Sequence, residues 1–403
     1  LLLPAKLWRN LSGGGVRRLL LHDTHLRALH DWSDAPALFD AATYPSLLVA
    51  QRRHPPEPRG TPATTATPAS RASAETVQCV VTRDTTLRFD MPSSFLPLDA
   101  DDPAAPWVLL PPAARAGFDA LRHAGPPLAE SPLGRPLLGV KCGCNAAFLV
   151  HAVEHHDEGA TVTSLAATTP TQGVIERTVL RPALRGEALT GPVAARASER
   201  GAMRAGDHLD EHDVRIIWTH DAFGKPLTTL PPATARWLGT WRPRLRARRD
   251  ARQSQPWWTL FRTDAARADL PRVVWADIGK QLRLRLLPPH DPTVPLNTCY
   301  VLRLATLDDA YAALALLSSG IVAAWLDVLA EPARGGFRRY LGWTVGALPV
   351  PRDWPRAVPQ LAALGRRLHA GEQLPAPLLN TAVAQAYGLS ITVLTPLLAW
   401  NQH

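Results

Sequence analysis

Residues 55–75, "PPEPRGTPATTATPASRASAE", divide the chain before any other feature can be read. The stretch is proline, threonine, alanine and serine, with no side chain able to join a core. Proline cannot donate a backbone hydrogen bond, and small polar residues bury too little apolar surface to fix a conformation. The segment reads as a linker, so structure is sought separately on its two sides.

Upstream, residues 1–54 read as α/β. "LLLPAKLW" is a strand running into a turn, and "GGVRRLLLHD" is a short helix with Val16, Leu19 and Leu20 on one side. "LRALHDWS" and "PSLLVAQRR" are two further strands. The unbroken apolar run of the last is the pattern of a strand covered on both faces. Downstream, residues 76–130 are interrupted by prolines and show no clear period. From 131 to about 350, short β-like runs such as "GVIERTVL", "DVRIIWTH", "PRVVWADI" and "CYVLRL" alternate with turns, an α+β pattern. "DDAYAALALLSSGIVAAWLDVLA" predicts one long helix, and residues 355–403 read as helical, with "NTAVAQAYGLS" a helix closed by Gly388.

The charge balance points to a partner. Lys and Arg number 44 against 35 Asp and Glu, a net charge of +9, and the basic residues are nearly all arginine. Such an excess favours a polyanion. No apolar run of membrane-spanning length without charges is present, so no membrane segment is expected. The opening "LLLPAKLW" has neither the basic start nor the small-residue cleavage site of a signal peptide. Cys79, Cys142, Cys144 and Cys299 are too few and too scattered for a disulfide framework, which predicts free thiols in a reducing, cytoplasmic setting. The chain begins without Met and inside an apparent strand, and is expected to be the later part of a longer protein.

The densest motif is "GVKCGCNAAFLV", residues 139–150. Cys142-x-Cys144 offers two thiolates, with Cys79, Cys299, His151, His155 or His156 to complete a metal set. Structural zinc needs a second close pair, and the sequence has none, so the cysteines read as small buried side chains and no metal is expected. A nuclease of the PD-(D/E)xK type needs a carboxylate two residues before a lysine. Those positions hold Pro4, Gly139, Phe223 and Ile278, which argues against that chemistry. "SGGGVRR" at 12–18 lacks the spacing of a dinucleotide or methyl-donor loop, and no Asn-Pro-Pro-aromatic motif occurs, so neither a cofactor site nor a catalytic residue is expected in this chain. "ARWLGTWRPRLRARRDAR", residues 235–252, sets seven arginines against one aspartate. Trp237, Trp241 and Leu245 fall at helical spacing beneath them. Arg242, Arg244, Arg246, Arg248 and Arg249 are therefore candidates for phosphate contact, the bland alternative being a solvated amphipathic face.

Taken in order, these pieces resemble adenine-specific DNA methyltransferases of the type IIG, TaqI-like, restriction–modification class. Residues 1–54 resemble the last strands of that family's catalytic domain, and "PLLGVKCGCNAAFLV" resembles its Gly-x-Lys-x-Gly-x-Asn-x-x-Phe signature at the head of the target-recognition region. "LRPALRGEAL", "RIIWTHDAFGKPLTTLPP", "ARWLGTWRPRLRARRD", "PWWTLFR", "PRVVWADIG", "PLNTCYVL", "ALLSSGIVAAWL", "RGGFRRYLGWTVGALPVP" and "VAQAYGLS" follow in family order. Residues 55–130 match least. Cys142 stands where the family often has Thr, and Ser318-Ser319 where it often has Asn-Ser.

The resemblance implies the tail of a Rossmann-like sheet (1–54), a linker (55–75), an α+β target-recognition domain (76–350) and a helical end (351–403). It implies double-stranded DNA as partner. It also implies an upstream segment carrying the S-adenosylmethionine and Asn-Pro-Pro-Tyr motifs, so that this chain alone is expected to be inactive and to hold no cofactor. Lys141 and Gly143 would approach the DNA backbone and Asn145 a base edge, while Phe148 packs inside. Phe39 would stack on an adenine turned out of the duplex. The structural alternatives are a glycine turn steadied by Asn145 beside an exposed lysine, and Leu38-Phe39 as a core pair. The alternative function is a non-enzymatic DNA-specificity module serving a separate catalytic subunit.

Overall fold

A computed structural model of the chain describes residues 1–35, 44–53, 75–83, 85–156, 159–166, 171–190, 214–251, 255–333 and 336–401. Its architecture is mixed α/β. Strands β1 (Leu2–Pro4), β2 (Thr24–Asp31), β3 (Pro45–Arg52), β4 (Thr76–Thr82) and β5 (Thr86–Pro92) form one sheet in the order β1-β3-β2-β4-β5. Its neighbours are antiparallel except β2 and β4, which run parallel. The sequence reading placed a domain boundary at 55–75; instead the strands on either side of that stretch share a sheet. β4 joins it because Val77, Cys79 and Val81 alternate inward, a period-2 signal that the surrounding prolines hide. Residues 54–74, nearly all of the expected linker, lie outside the described residues. Where the described chain resumes, Arg53 grips Glu75 through both terminal nitrogens at 2.8 Å, and His25 Nδ1 meets the same carboxylate at 2.8 Å.

Two expectations for residues 1–54 need correction. The helix Gly14–Asp23 turns Gly14, Arg17 and Leu20 inward, while Val16 and Leu19 are 45% and 56% exposed. The guanidinium of Arg17 decides this orientation. It is fully buried and donates to the carbonyls of Leu7, Asn10, Ala104 and Ala105, groups that would otherwise be orphaned. β3 is covered over its first half alone, and Val49 is exposed.

β6 (Leu137–Leu138) leads into the 139–150 motif. Beyond it lie β7 (Leu149–His156), β8 (Gly159–Ser164), β9 (Gln172–Ile175), β10 (Leu180–Leu184) and β11 (Val214–Ile217). With the late strand β15 (Val294–Pro295) these make a six-stranded sheet ordered β15-β10-β11-β7-β8-β9. A four-stranded sheet holds β14 (Leu284–Leu287), β12 (Arg272–Ala276), β16 (Cys299–Arg303) and β6 in that order. β12, "RVVWA", is buried throughout, as its β-branched run requires. A small fourth sheet contains β13 (Ile278–Gly279), β18 (Phe337–Arg339) and β17 (Glu331–Ala333) in that order.

The cores follow the fold and cross the expected boundaries. One apolar cluster begins at Ala5, runs to Leu133, and resumes from Val273 to Trp400; a second gathers Val140 to Leu296 around the six-stranded sheet. The chain therefore leaves its first body near β6 and returns to it. The helical end is part of that body: Trp400 meets Phe89 edge-on at 6.1 Å, and Arg83 lies 5.1 Å over the Trp400 ring. Charges join the early and late parts of the same body. Arg338 grips both oxygens of Asp34 at 2.5 and 2.6 Å, and Asp327 accepts from Arg338 and Arg83.

The long helix expected over 308–330 is two helices, Leu307–Leu317 and Gly320–Leu329, bent by 68°. Ser319 adopts an extended conformation, and its hydroxyl accepts from the Val322 amide, capping the second helix. Asn380 accepts from the Gly320 amide at 2.8 Å and holds the corner. Both helices are largely buried. Among the described residues no single helix is long and apolar enough to cross a membrane. The helix Ala376–Ala386 ends as the sequence indicates: Gly388 has φ +69°, and the Leu389 amide returns to the Ala384 carbonyl at 2.9 Å.

The helix Trp354–His369 packs closely on Leu307–Leu317. A Cβ added at Gly365 would stand 1.9 Å from the Tyr311 carbonyl oxygen, whereas one added at Gly15, in the helix Gly14–Asp23, would meet nothing within 4 Å. Gly365→Ala is expected to lower stability by about 1–3 kcal/mol despite the better helix former. Gly15→Ala should leave it unchanged or raise it by up to about 1 kcal/mol. Thermal melting of the two variants checks the pair.

Candidate nucleic-acid interface

The motif 139–150 is held from below by one arginine. Arg248 is buried and spends its donors on three backbone carbonyls: Nε to Leu245 at 2.9 Å, one terminal nitrogen to Cys142 at 2.7 Å, the other to Trp257 at 2.8 Å. Its guanidinium also lies 5.6 Å over Phe148 and 4.9 Å over Phe261. Gly143, at φ +67°, passes over this side chain, and a Cβ there would sit 2.9 Å from Arg248 Cδ. Glycine is required for both reasons, left-handed backbone and close approach. Arg248 is therefore no part of an exposed basic face, as its spacing had implied. The carbonyls of the turn need a donor that the local backbone does not supply, and Arg248 folds back to provide it.

Around this brace, residues are displayed. Lys141 exchanges two backbone hydrogen bonds with Phe261 at 3.0 Å each, and its ammonium pairs with Asp250. Asn145 opens the short helix Asn145–Phe148; its side chain is exposed and makes no hydrogen bond among the described residues, so it does not steady the turn. Phe148 is fully buried, as expected. The stripe Trp237, Trp241 and Leu245 does face inward, but over two helices, Pro232–Gly239 and Arg242–Arg246, separated by a break at Thr240 and Trp241. The carboxylate of Glu176, from the other end of the motif's sheet, caps the first, accepting from the Ala233 and Thr234 amides at 2.6 and 2.8 Å. Trp237 Nε1 donates to the Ala147 carbonyl at 2.8 Å, locking that helix to the motif.

Arg242 lies 5.4 Å over the Trp257 ring, and Arg244, Arg246 and Arg249 are exposed. Arg249 also lines a depression of about 570 Å³, together with Lys141, His220, Gly224, Asp250 and Arg262. Arg262 was not singled out by the sequence. It is exposed and holds a left-handed conformation, φ 60°, costly for a residue with a side chain. His220, on the floor, is driven down to about 4 by burial. Phe39 lies outside the described residues.

Other chemistries find little support in the geometry. Cys142 and Cys144 are buried, burial pushes the Cys142 thiol up to about 12, and among the described residues no three metal-ligating side chains gather. Two of the three glycines of "SGGGVRR", Gly13 and Gly14, are packed against the chain itself. A Cβ at Gly13 would strike the Leu7 carbonyl oxygen at 2.5 Å, and one at Gly14 the Ala104 oxygen at 2.9 Å, so the chain's own atoms fill that space.

No protein-family model matches the chain, and no curated protein matches it in sequence. Among solved structures, its fold is similar to that of the Type IIL restriction-modification enzyme MmeI in complex with DNA, with a TM-score of 0.51 and 11% sequence identity. The likeness covers 97% of this chain and 47% of that one. The type IIG restriction endonuclease BpuSI is a more distant neighbour, with a TM-score of 0.37, 10% identity, and coverage of 100% and 46%. The chain thus spans less than half the length of either.

Two measurements probe this surface. Asp250 neutralises Lys141, and the hydrogen bond from that lysine draws the carboxyl below its ordinary range. If the surface grips a polyanion, Asp250→Asn should tighten binding and steepen its salt dependence; fluorescence titration with a short duplex reads both. For His220 the unfolded chain takes up a proton near 6.5 while the folded chain resists until about 4. Stability contributed by the neutral ring is complete above pH 6.5 and is lost as pH falls towards 4. His220→Leu should therefore flatten the fall in melting temperature across that window.

Proposed function

We propose that the chain is the C-terminal, target-recognition part of a site-specific adenine-N6 DNA methyltransferase of the restriction–modification class. In this reading it binds DNA and selects the site, while an upstream segment carries the methyl donor S-adenosylmethionine and the Asn-Pro-Pro-Tyr motif. One observation carries the reading. The glycine motif, held on a rigid support made by Arg248, leaves Asn145 exposed and sets Lys141 in the wall of a depression whose other cations are Arg249 and Arg262. The order of family motifs along the sequence and a fold similar to part of a restriction-modification enzyme support it.

Each residue takes a role suited to its chemistry. Lys141 and the exposed arginines meet phosphates, which fix register without reading sequence. Asn145, with no internal hydrogen bond, offers a paired donor and acceptor to a base edge. Phe39 stacks on the adenine turned out of the helix, a position that the upstream catalytic groups then address. S-Adenosylmethionine would supply the methyl group in the complete enzyme. The chain's own contribution is grip, register and choice of site.

The test is binding of the full chain to duplex DNA across a salt series. Log affinity should fall linearly with log salt, by about 0.9 per phosphate contact. Affinity that is flat with salt would overturn the reading. Lys141→Ala should weaken all duplexes alike, whereas Asn145→Ala should cost about 1–3 kcal/mol more on a selected site than on scrambled DNA. Equal losses for Asn145→Ala on both duplexes would remove it from base reading.

A further inference from the structure

We infer that Phe223 is an apolar wedge that enters the base stack of DNA bound along the cationic rim. The ring is 70% exposed, as far out as any large apolar side chain among the described residues, and has no aromatic or cationic partner there. It stands on the turn "DAFGK", residues 221–225, which is stiff despite its exposure. The Asp221 carboxylate accepts from the Phe223 and Lys225 amides at 2.8 and 2.9 Å, and the Asp221 amide donates to the Lys225 carbonyl at 2.8 Å. Gly224, left-handed at φ +79°, packs against Thr263, whose hydroxyl donates to the Gly224 carbonyl at 2.9 Å. Trp218 Nε1 contacts the Asp221 carbonyl at 3.4 Å, anchoring the turn to the second core.

A single exposed apolar side chain is ordinary on a protein surface, and it is the rigid turn and the setting that single Phe223 out. Its neighbours say what covers it. Gly224 and Thr263 line the depression with Lys141, Arg249 and Arg262, and Lys225 follows it, exposed. The ring stands one residue from the wall of that depression, whose cations a phosphate backbone would neutralise. Proteins that grip DNA from such a surface insert single apolar side chains between base steps, and the unstacking that follows allows kinking or extrusion of a base. A rigid turn suits this use, because the ring loses little further freedom on insertion.

The inference rests on the reading of the chain as a DNA-binding part, and the experiment separates the two. The full chain is titrated with a fully paired duplex of mixed sequence, and with the same duplex carrying two adjacent central mismatches. A wedge spends binding free energy on unstacking, so prepaid disruption should tighten wild-type binding about tenfold. Phe223→Ala should bind both duplexes equally, and Phe223→Trp should restore the preference. All three proteins should melt together, since the side chain is exposed. A preference kept by Phe223→Ala, or salt-sensitive wild-type binding without any preference, overturns the wedge and leaves DNA binding standing. Failure of the wild type to bind either duplex overturns both.

Discussion

The guanidinium of Arg248 is the contact on which the candidate interface depends. The glycine motif, distant in sequence, and the nearby basic helix and Trp257 loop each present a carbonyl that points inward, and one planar side chain satisfies all three. Arginine suits this because its donors are fixed in a fork and it tolerates aromatic faces above and below, here Phe148 and Phe261. Burial makes the charge harder to hold, and the guanidinium is drawn below its ordinary range. Lysine would offer one mobile point charge in place of a fork, and the three carbonyls could not all be reached.

That brace separates support from display. Residues facing inward, Phe148, Leu245, Trp237 and Arg248, fix the backbone; residues facing outward, Asn145, Arg244, Arg246 and Arg249, are left with few internal obligations. Lys141 is intermediate. Its backbone is tied into a two-way bridge with Phe261, and its ammonium is held by Asp250. An exposed pair of this kind is weak, so a phosphate could displace the carboxylate at little cost.

The sequence revealed motifs more reliably than it revealed their environments. The need for glycine at 143 and the burial of Phe148 were legible, because backbone permissiveness and aromatic size are intrinsic to the residue. The burial of Arg248 was not. Among seven arginines in eighteen positions, nothing local tells which one folds back, since its carbonyl partners Cys142 and Trp257 lie elsewhere in the chain. Arg17 misled for the same reason, turning Val16 and Leu19 outward. The break at Ser318 and Ser319 was not legible in what reads as one long helix, because Asn380, sixty residues on from Gly320, holds the corner. Sheet membership of β4 was hidden because pairing between β2 and β4 is a long-range fact. A proline-rich stretch marks where regular structure pauses and says nothing about whether one sheet continues beyond it.

The ion pair between Arg53 and Glu75 has a consequence for how the chain could change over time. β3 and β4 lie on opposite sides of β2, with the end of one and the start of the other at the same edge of the sheet, and the two-point contact clasps them there. Once those ends are fixed, the number of residues between them enters only through the entropy of closing a loop, about 0.6 kcal/mol for each doubling of length. The register of the sheet therefore depends on Arg53 and Glu75 meeting, and not on how many residues join them. Insertions, deletions, even a whole inserted module could accumulate at this place while the strands on both sides keep their register.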